Sequence, residues 1–117
     1  MGAFLRFFYC RKLLKHALRD GEEAQWCIFD PIISTIFGMK FQKTKQAEFL
    51  EKQTFYLNRS LAQLTSEDFK IGGFKCPELY YLNSSDYVPN DATPLLWTQA
   101  NLRIALKIME QSLILGS

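Results

Sequence analysis

The residues with the strongest chemical potential lie between Cys76 and Ile108. Glu78 follows a proline in Cys76-Pro77-Glu78-Leu79-Tyr80-Tyr81-Leu82, so a carboxylate sits among aromatic side chains. A polar loop follows, then Ala92-Thr93-Pro94-Leu95-Leu96-Trp97-Thr98-Gln99-Ala100. Thr93 is a residue type that caps helices, and Pro94 suits a first helical turn, where no amide donor is needed. Trp97 then falls in that first turn, close to where the loop returns. A carboxylate that can take a proton from water, beside an aromatic face that can carry a pyranose, is the chemistry of a sugar site. The plain alternatives are an exposed loop carboxylate or a helix-capping partner for Glu78 and a core position for Trp97. Tyr80 and Tyr81 face opposite ways if the segment is extended, so one can line the site while the other packs.

These segments resemble the end of the catalytic domain of glucoamylase-type enzymes, glycoside hydrolase family 15. They are at least as similar to the glucoamylase-like domain of the phosphorylase kinase alpha and beta regulatory subunits. The similarity rests on Pro77-Glu78-Leu79-Tyr80, on Ala92 to Ala100, and on an upstream stretch from Glu22-Glu23-Ala24-Gln25-Trp26 to Phe37-Gly38. It spans roughly Glu22 to Ser112, in order and spacing. The resemblance implies that Glu78 is the general base, with Trp97 and Tyr80 touching the sugar. Inverting glycosidases also need a general acid across the scissile bond, about 6.5–9.5 Å away. The family carries that acid on an earlier hairpin, and no segment here matches it. Asp86 and Asp91 lie on Glu78's own loop. The expectation is therefore a partial α-glucan-active module, of the kind found in glycogen and other polysaccharide metabolism, inactive when alone. The alternatives are a regulatory, protein-binding piece similar to the kinase subunits, towards which Gln99 two residues after Trp97 points, or a truncated product.

At 117 residues the chain has room for one small domain. The family's barrel of six helical hairpins is far larger, so the expected fold is all-α, a C-terminal fragment of an (α/α)6 barrel with one long extended loop. Residues 21–117 make up that part, and residues 1–20 form a basic N-terminal helix without a family match. Hydrophobic residues are 48% of the chain and aromatic residues 15%, ample for a core and against wholesale disorder. The net charge of +2 is too small to suggest nucleic acid. Arg6, Arg11, Lys12, Lys15 and Arg19 against Asp20 give the first twenty residues a charge of +4, and the remainder carries −2.

The basic start could lie on an anionic membrane, but a helix packed on its neighbour is the favoured reading, so membrane association is not expected. Arg6 interrupts the apolar run, which argues against a membrane span or a secretory leader. Cys10, Cys27 and Cys76 show no Cys-x-x-Cys spacing, and unpaired thiols in a reducing, cytoplasmic setting follow. Asn58-Arg59-Ser60 and Asn83-Ser84-Ser85 match glycosylation sequons and are read as coincidence in such a chain. His16 is the sole histidine, so neither a metal nor a cofactor is expected.

Along the chain, Glu22 and Glu23 open a predicted helix whose apolar face includes Trp26, Phe29, Ile33 and Phe37. Pro31 conflicts with it, and Gly38 is its expected end. The clearest helix is predicted over about Lys43 to Leu64, with Ala47, Leu50, Thr54, Leu57, Leu61 and Leu64 as its seam. Gly72-Gly73 marks a turn, Phe74 to Leu82 favours extended structure, and Asn83 to Asp91 reads as loop. The last helix, Pro94 to about Leu115, is apolar over a wide arc and expects neighbours on more than one side. That arc makes self-association, or docking on another protein, the natural expectation.

Overall fold

A computed structural model of the chain describes residues 23–116. The basic helix expected for the first twenty residues, with Cys10 and His16, lies outside them. The described chain is mostly helical, with three helices and a small sheet. In chain order these are β1 (Gln25–Trp26), α1 (Asp30–Thr44), α2 (Ala47–Ala62), β2 (Leu79–Asn83), β3 (Asp86–Pro89) and α3 (Leu96–Gly116). None of these helices is long and apolar enough to cross a membrane.

Pro31 resolves its own conflict by position. It stands in the first turn of α1, where its missing N–H costs nothing, and Asp30 beside it complements the positive end of the helix dipole. The expected helix therefore starts at Asp30, its start moved by Pro31 as that residue's conflict with a helix interior demands. Trp26, assigned by periodicity to its apolar face, lies instead in β1, opposite Leu79 of β2. Gly38 is not a terminus either. α1 runs through it to Thr44 and closes on Lys45, whose left-handed backbone (φ 62°) lets its N–H reach the Phe41 carbonyl at 2.7 Å.

Only Lys45 and Gln46 separate α1 from α2, so the two helices pack as a hairpin. α3 lies chiefly against α1 and more lightly against α2. Gly38 is where the three helices come closest. A Cβ added there would stand 2.5 Å from both Gln53 Nε2 of α2 and Ile108 Cγ2 of α3. Any side chain at this position would force Gln53 and Ile108 to shift.

The buried face of α2 is Gln53, Leu57 and Ser60; of the seam read from spacing, Leu57 is buried and Leu64 packs on the core, while polar residues take the other inward positions. Thr54 is exposed, and Leu61 is 38% exposed. The helix is thus rotated, and polar side chains occupy much of the helical interface. Ser34 Oγ donates to the Gln53 carbonyl at 2.8 Å, and Gln42 Nε2 donates to the Ile108 carbonyl and to Ser112 Oγ at 3.2 and 3.3 Å. The Gln53 side-chain amide is fully buried and has no hydrogen-bond partner among the described residues. The apolar core is small: Leu57, Cys76, Leu102 and Ala105, with Leu64 and Met109 packed on it.

After α2, Thr65 clamps the 66–74 loop shut. Its N–H donates to the Lys75 carbonyl, its carbonyl accepts from the Phe74 N–H, and its hydroxyl donates to the Gly72 carbonyl while accepting from the Lys75 N–H, all at 2.9–3.0 Å. Gly72 (φ 99°) and Phe74 (φ 59°) make the tight reversal that this closure requires. The segment expected to be polar loop contains β3, and Ser84-Ser85 turns β2 into it. The sheet order is β1-β2-β3, antiparallel throughout.

Two substitutions at the crossing have opposite expected effects. Gly38→Ala gains helix propensity of about 1 kcal/mol but overpacks the contact, and a net loss of roughly 1–3 kcal/mol is expected. Gln53→Met keeps the volume and removes the unpaired amide, and should stabilise by about 1–2 kcal/mol. Urea denaturation of the three proteins measures both.

Candidate functional site

Glu78 enters the structure on a wholly buried stretch, Cys76-Pro77-Glu78-Leu79. Pro77 holds Cys76 extended, and extended backbone carries the chain into β2. The Glu78 carbonyl accepts from the Cys27 N–H at 2.9 Å, which continues the β1–β2 pairing by one residue. Its side chain turns inward with 3% exposure, and Oε1 accepts from Asn90 Nδ2 at 2.8 Å. Asn90 is placed for this by its backbone, since its N–H donates to the Leu79 carbonyl at 3.1 Å directly after β3. The hairpin thus folds back and seals the carboxylate. A general base needs a water within about 2.6–3.2 Å, and a carboxylate this buried meets an amide first. The exposed-loop alternative for Glu78 is overturned: its side chain is buried and ties the residue before β2 to the residue after β3, while its backbone carbonyl carries the contact to β1.

Trp97 does lie in the first turn of α3, but the capping scheme at that end differs from expectation. α3 begins at Leu96, and the Thr93–Pro94 peptide, which is cis, precedes it. Thr93 Oγ1 makes no hydrogen bond to the described residues, so Thr93 is not the cap. The turn is fixed by the backbone, with the Leu95 N–H donating to the Cys76 carbonyl at 2.8 Å and the Gln99 N–H to the Leu95 carbonyl at 3.0 Å. The first of these bonds ties the start of α3 to the stretch carrying Glu78. Trp97 is 53% exposed, so it is not the core residue that its size suggests.

Tyr80 is half-buried, and its hydroxyl donates to the Gln63 carbonyl at 2.9 Å, satisfying an acceptor at the end of α2. Burial pushes its phenol above the usual range, and nearby Cys27 adds to that. Tyr80 and Tyr81 are both half-buried, and of the two it is Tyr80 that lines a cleft. With Asp68, Phe69 and Tyr87, Tyr80 lines a cleft of about 260 Å³ between the 66–74 loop and the β2–β3 hairpin. Neither Glu78 nor Trp97 lines that cleft. The three residues expected to share a sugar site therefore have different surroundings: Glu78 sealed, Tyr80 at a cleft, Trp97 in solvent.

A second buried carboxylate was missed by sequence reasoning. Asp30 is 4% exposed, and its Oδ2 accepts from Gln63 Nε2 at 2.7 Å and pairs with Arg59 Nε at 3.3 Å. This joins the start of α1 to the end of α2. The signal was present, since Asp-Pro opens helices and Arg59 and Gln63 share a helix face at a spacing of four. Asp30 also lies near Cys27, which is free and buried, as is Cys76. Burial first, then the Asp30 charge and Cys76, push the Cys27 thiol up to about 12; burial also raises Cys76. Both thiols line a narrow gap with Ser60, Gln63 and Thr98. They are packing groups and not nucleophiles. No cluster of His, Cys, Asp and Glu among the described residues could hold a metal ion.

No family model matches the chain, and no curated protein or solved structure matches it.

Glu78→Ala should cost about 1–3 kcal/mol through the lost hydrogen bond to Asn90, whereas Asp91→Asn, on an exposed residue, should stay within about 0.5 kcal/mol. The two chemical-denaturation curves decide whether Glu78 is a structural anchor. The thiols give a pH signature. An ordinary thiol in the unfolded chain loses its proton near pH 9.0, while folded Cys27 keeps its proton to about pH 12. Stability from this group is full below pH 9 and is lost progressively as pH rises towards 12. The urea midpoint should fall between pH 8.5 and about 11, and it should fall less steeply in Cys27→Ala.

Proposed function

We propose that this chain is a glucoamylase-like module, corresponding to the closing part of a six-hairpin helical barrel, that works by docking on a further polypeptide and does not hydrolyse α-glucan by itself. The observation that carries the reading is the outward apolar surface of α3. Leu96, Ile104, Leu106, Leu113, Ile114 and Leu115 are each 43–76% exposed, while its buried positions include Thr98 and Ser112. Ile36 and Met39 of α1 and Phe55 of α2 add to the exposed apolar surface. Large apolar patches of this kind mark contact surfaces. In a barrel the last helix has neighbours on both flanks; among the described residues α3 packs on α1 and more lightly on α2.

The order of elements suits the same reading. A helical hairpin comes first, then an extended segment bearing Glu78, then a long helix led by Trp97. In this proposal Glu78 descends from a general base, and any acid comes from the docked polypeptide, since Asp86 and Asp91 lie on Glu78's own hairpin. A rate that depends on acid and base at one bond cannot arise from the base alone. The binding of Glu78 to Asn90 favours the regulatory branch, similar to the phosphorylase kinase subunits, over the hydrolytic one. Cys27 and Cys76, free and buried, suit a reducing, cytoplasmic setting.

Light scattering with a dye for apolar surface tests the docking. Self-association or dye binding is expected, and a sharp, dye-silent monomer that unfolds cooperatively would overturn it. Assays on maltose and longer α-glucans should show no glucose release by the chain alone. In a chain completed with the upstream domain of an active relative, Glu78→Gln separates the two branches. A fall in turnover of roughly two to four orders of magnitude marks a base, and an unchanged rate marks the regulatory branch.

A further inference from the structure

We propose that the cleft between the 66–74 loop and the β2–β3 hairpin binds an organic cation, a guanidinium or alkylammonium group. The cleft has a volume of about 260 Å³, room for such a head group and the methylenes that carry it. Three aromatic side chains line it, Phe69 from the loop and Tyr80 and Tyr87 from the hairpin, with Val88 and Pro89 as apolar wall. Among the described residues Asp68 is the one carboxylate lining the cleft, and no described lysine or arginine lines it, although Lys70 and Lys75 belong to the same stretch of chain. Aromatic rings attract a cation through their negative faces, and a carboxylate beside them adds charge attraction.

The lining is poorly suited to a sugar. A pyranose needs several directional hydrogen-bonding groups. Two of the lining hydroxyls are committed elsewhere: Thr65 Oγ1 to Gly72 and Lys75, and Tyr80 Oη to the Gln63 carbonyl. Those commitments also make the cleft rigid. The four hydrogen bonds of Thr65 set the base of the loop, and the bond from Tyr80 pins the hairpin wall to the end of α2. A preformed site costs little ordering on binding. The proposal is independent of the glucoamylase-like reading, because the cleft contains neither Glu78 nor Trp97.

The cation could belong to a free small molecule or to an arginine or lysine side chain of a polypeptide. Ligand-observed saturation-transfer NMR on the full chain, which tolerates self-associated protein, tests the shared chemistry. The probes are tetramethylammonium, N-acetyl-arginine amide, an acetylated Gly-Arg-Gly peptide amide, and neutral methyl α-glucoside, at constant ionic strength. Saturable binding of the cationic probes is expected, with affinity reduced roughly 2- to 30-fold in Asp68→Asn and likewise in Tyr87→Leu. Tighter binding of the peptide points to a polypeptide source, and tighter binding of tetramethylammonium to a free one. Circular dichroism confirms that the exposed Asp68 and Tyr87 variants fold. Absence of saturable cation binding would overturn the proposal, as would cation binding undiminished in both variants. Competition by methyl α-glucoside at equal affinity would overturn it too, making the cleft a sugar site.

Discussion

The helical layer depends on the absence of one methyl group. At Gly38 the backbone of α1 meets the side chains of Gln53 from α2 and Ile108 from α3, at separations that no β-carbon could share. This close approach brings the serines and glutamines of the three helices within hydrogen-bonding range: Ser34 to the Gln53 backbone, Gln42 to Ile108 and Ser112. Helices that pack through small and polar residues gain geometric definition but bury little apolar area. Several larger aliphatic side chains, Ile36 of α1 and Ile104, Leu113 and Ile114 of α3 among them, are left on the outside.

That inversion links fold to function. A chain whose helices meet partly through serine and glutamine, and which leaves Leu113, Ile114 and Leu115 of α3 exposed, is stabilised further by whatever covers those outer faces. The surface of α1 and α2 carries a related feature. Phe37 stacks near Phe49 and Tyr56, with centroids 6.2 and 5.9 Å apart, and Lys40 and Lys52 lie over the Phe37 ring at 5.6 and 5.4 Å. These long cationic side chains shield aromatic surface with their stems, which keeps that side of the hairpin compatible with water. α3 has fewer such covers on its outer side, where Leu113, Ile114 and Leu115 follow one another. The partner contact proposed for this chain is therefore better placed on α3 than on the α1–α2 hairpin.

Around Glu78 the governing constraint is hydrogen-bond satisfaction. The stretch from Cys76 to Leu79 is buried, so its backbone groups must find partners. Cys27, Asn90 and Leu95 supply them from three different parts of the chain. The same ties that bury the segment also enclose the carboxylate, and Asn90 occupies one of its oxygens. Tyr80, two residues on, contributes its ring to the neighbouring cleft and its hydroxyl to the end of α2. One short strand thereby joins the sheet, the helical hairpin and the cleft.

By itself the sequence determined the helical character, the turn at Gly72-Gly73, the extended run into β2 and the unusual greasiness of α3. Each of these depends on local propensity or on periodicity within a single segment, and neighbouring residues contain that information. It also identified Glu78, Tyr80 and Trp97 as chemically interesting, because residue type alone says what a side chain can do. Tertiary structure decided everything that depends on a distant partner. Trp26 became a strand residue because Leu79, far along the chain, was there to pair with it. α2 turned Gln53 and Ser60 inward, against its hydrophobic spacing, because Gly38 and Ser34 offered a close polar contact that a periodicity count cannot see. Pro31 and Gly38 exchanged their expected roles, one starting a helix and the other lying inside it, since a proline costs nothing at the first turn and a glycine is required at a close crossing. Glu78 lost its access to water through Asn90, twelve residues later. Whether a carboxylate faces solvent or an amide depends on where the chain returns, and no single segment encodes that return.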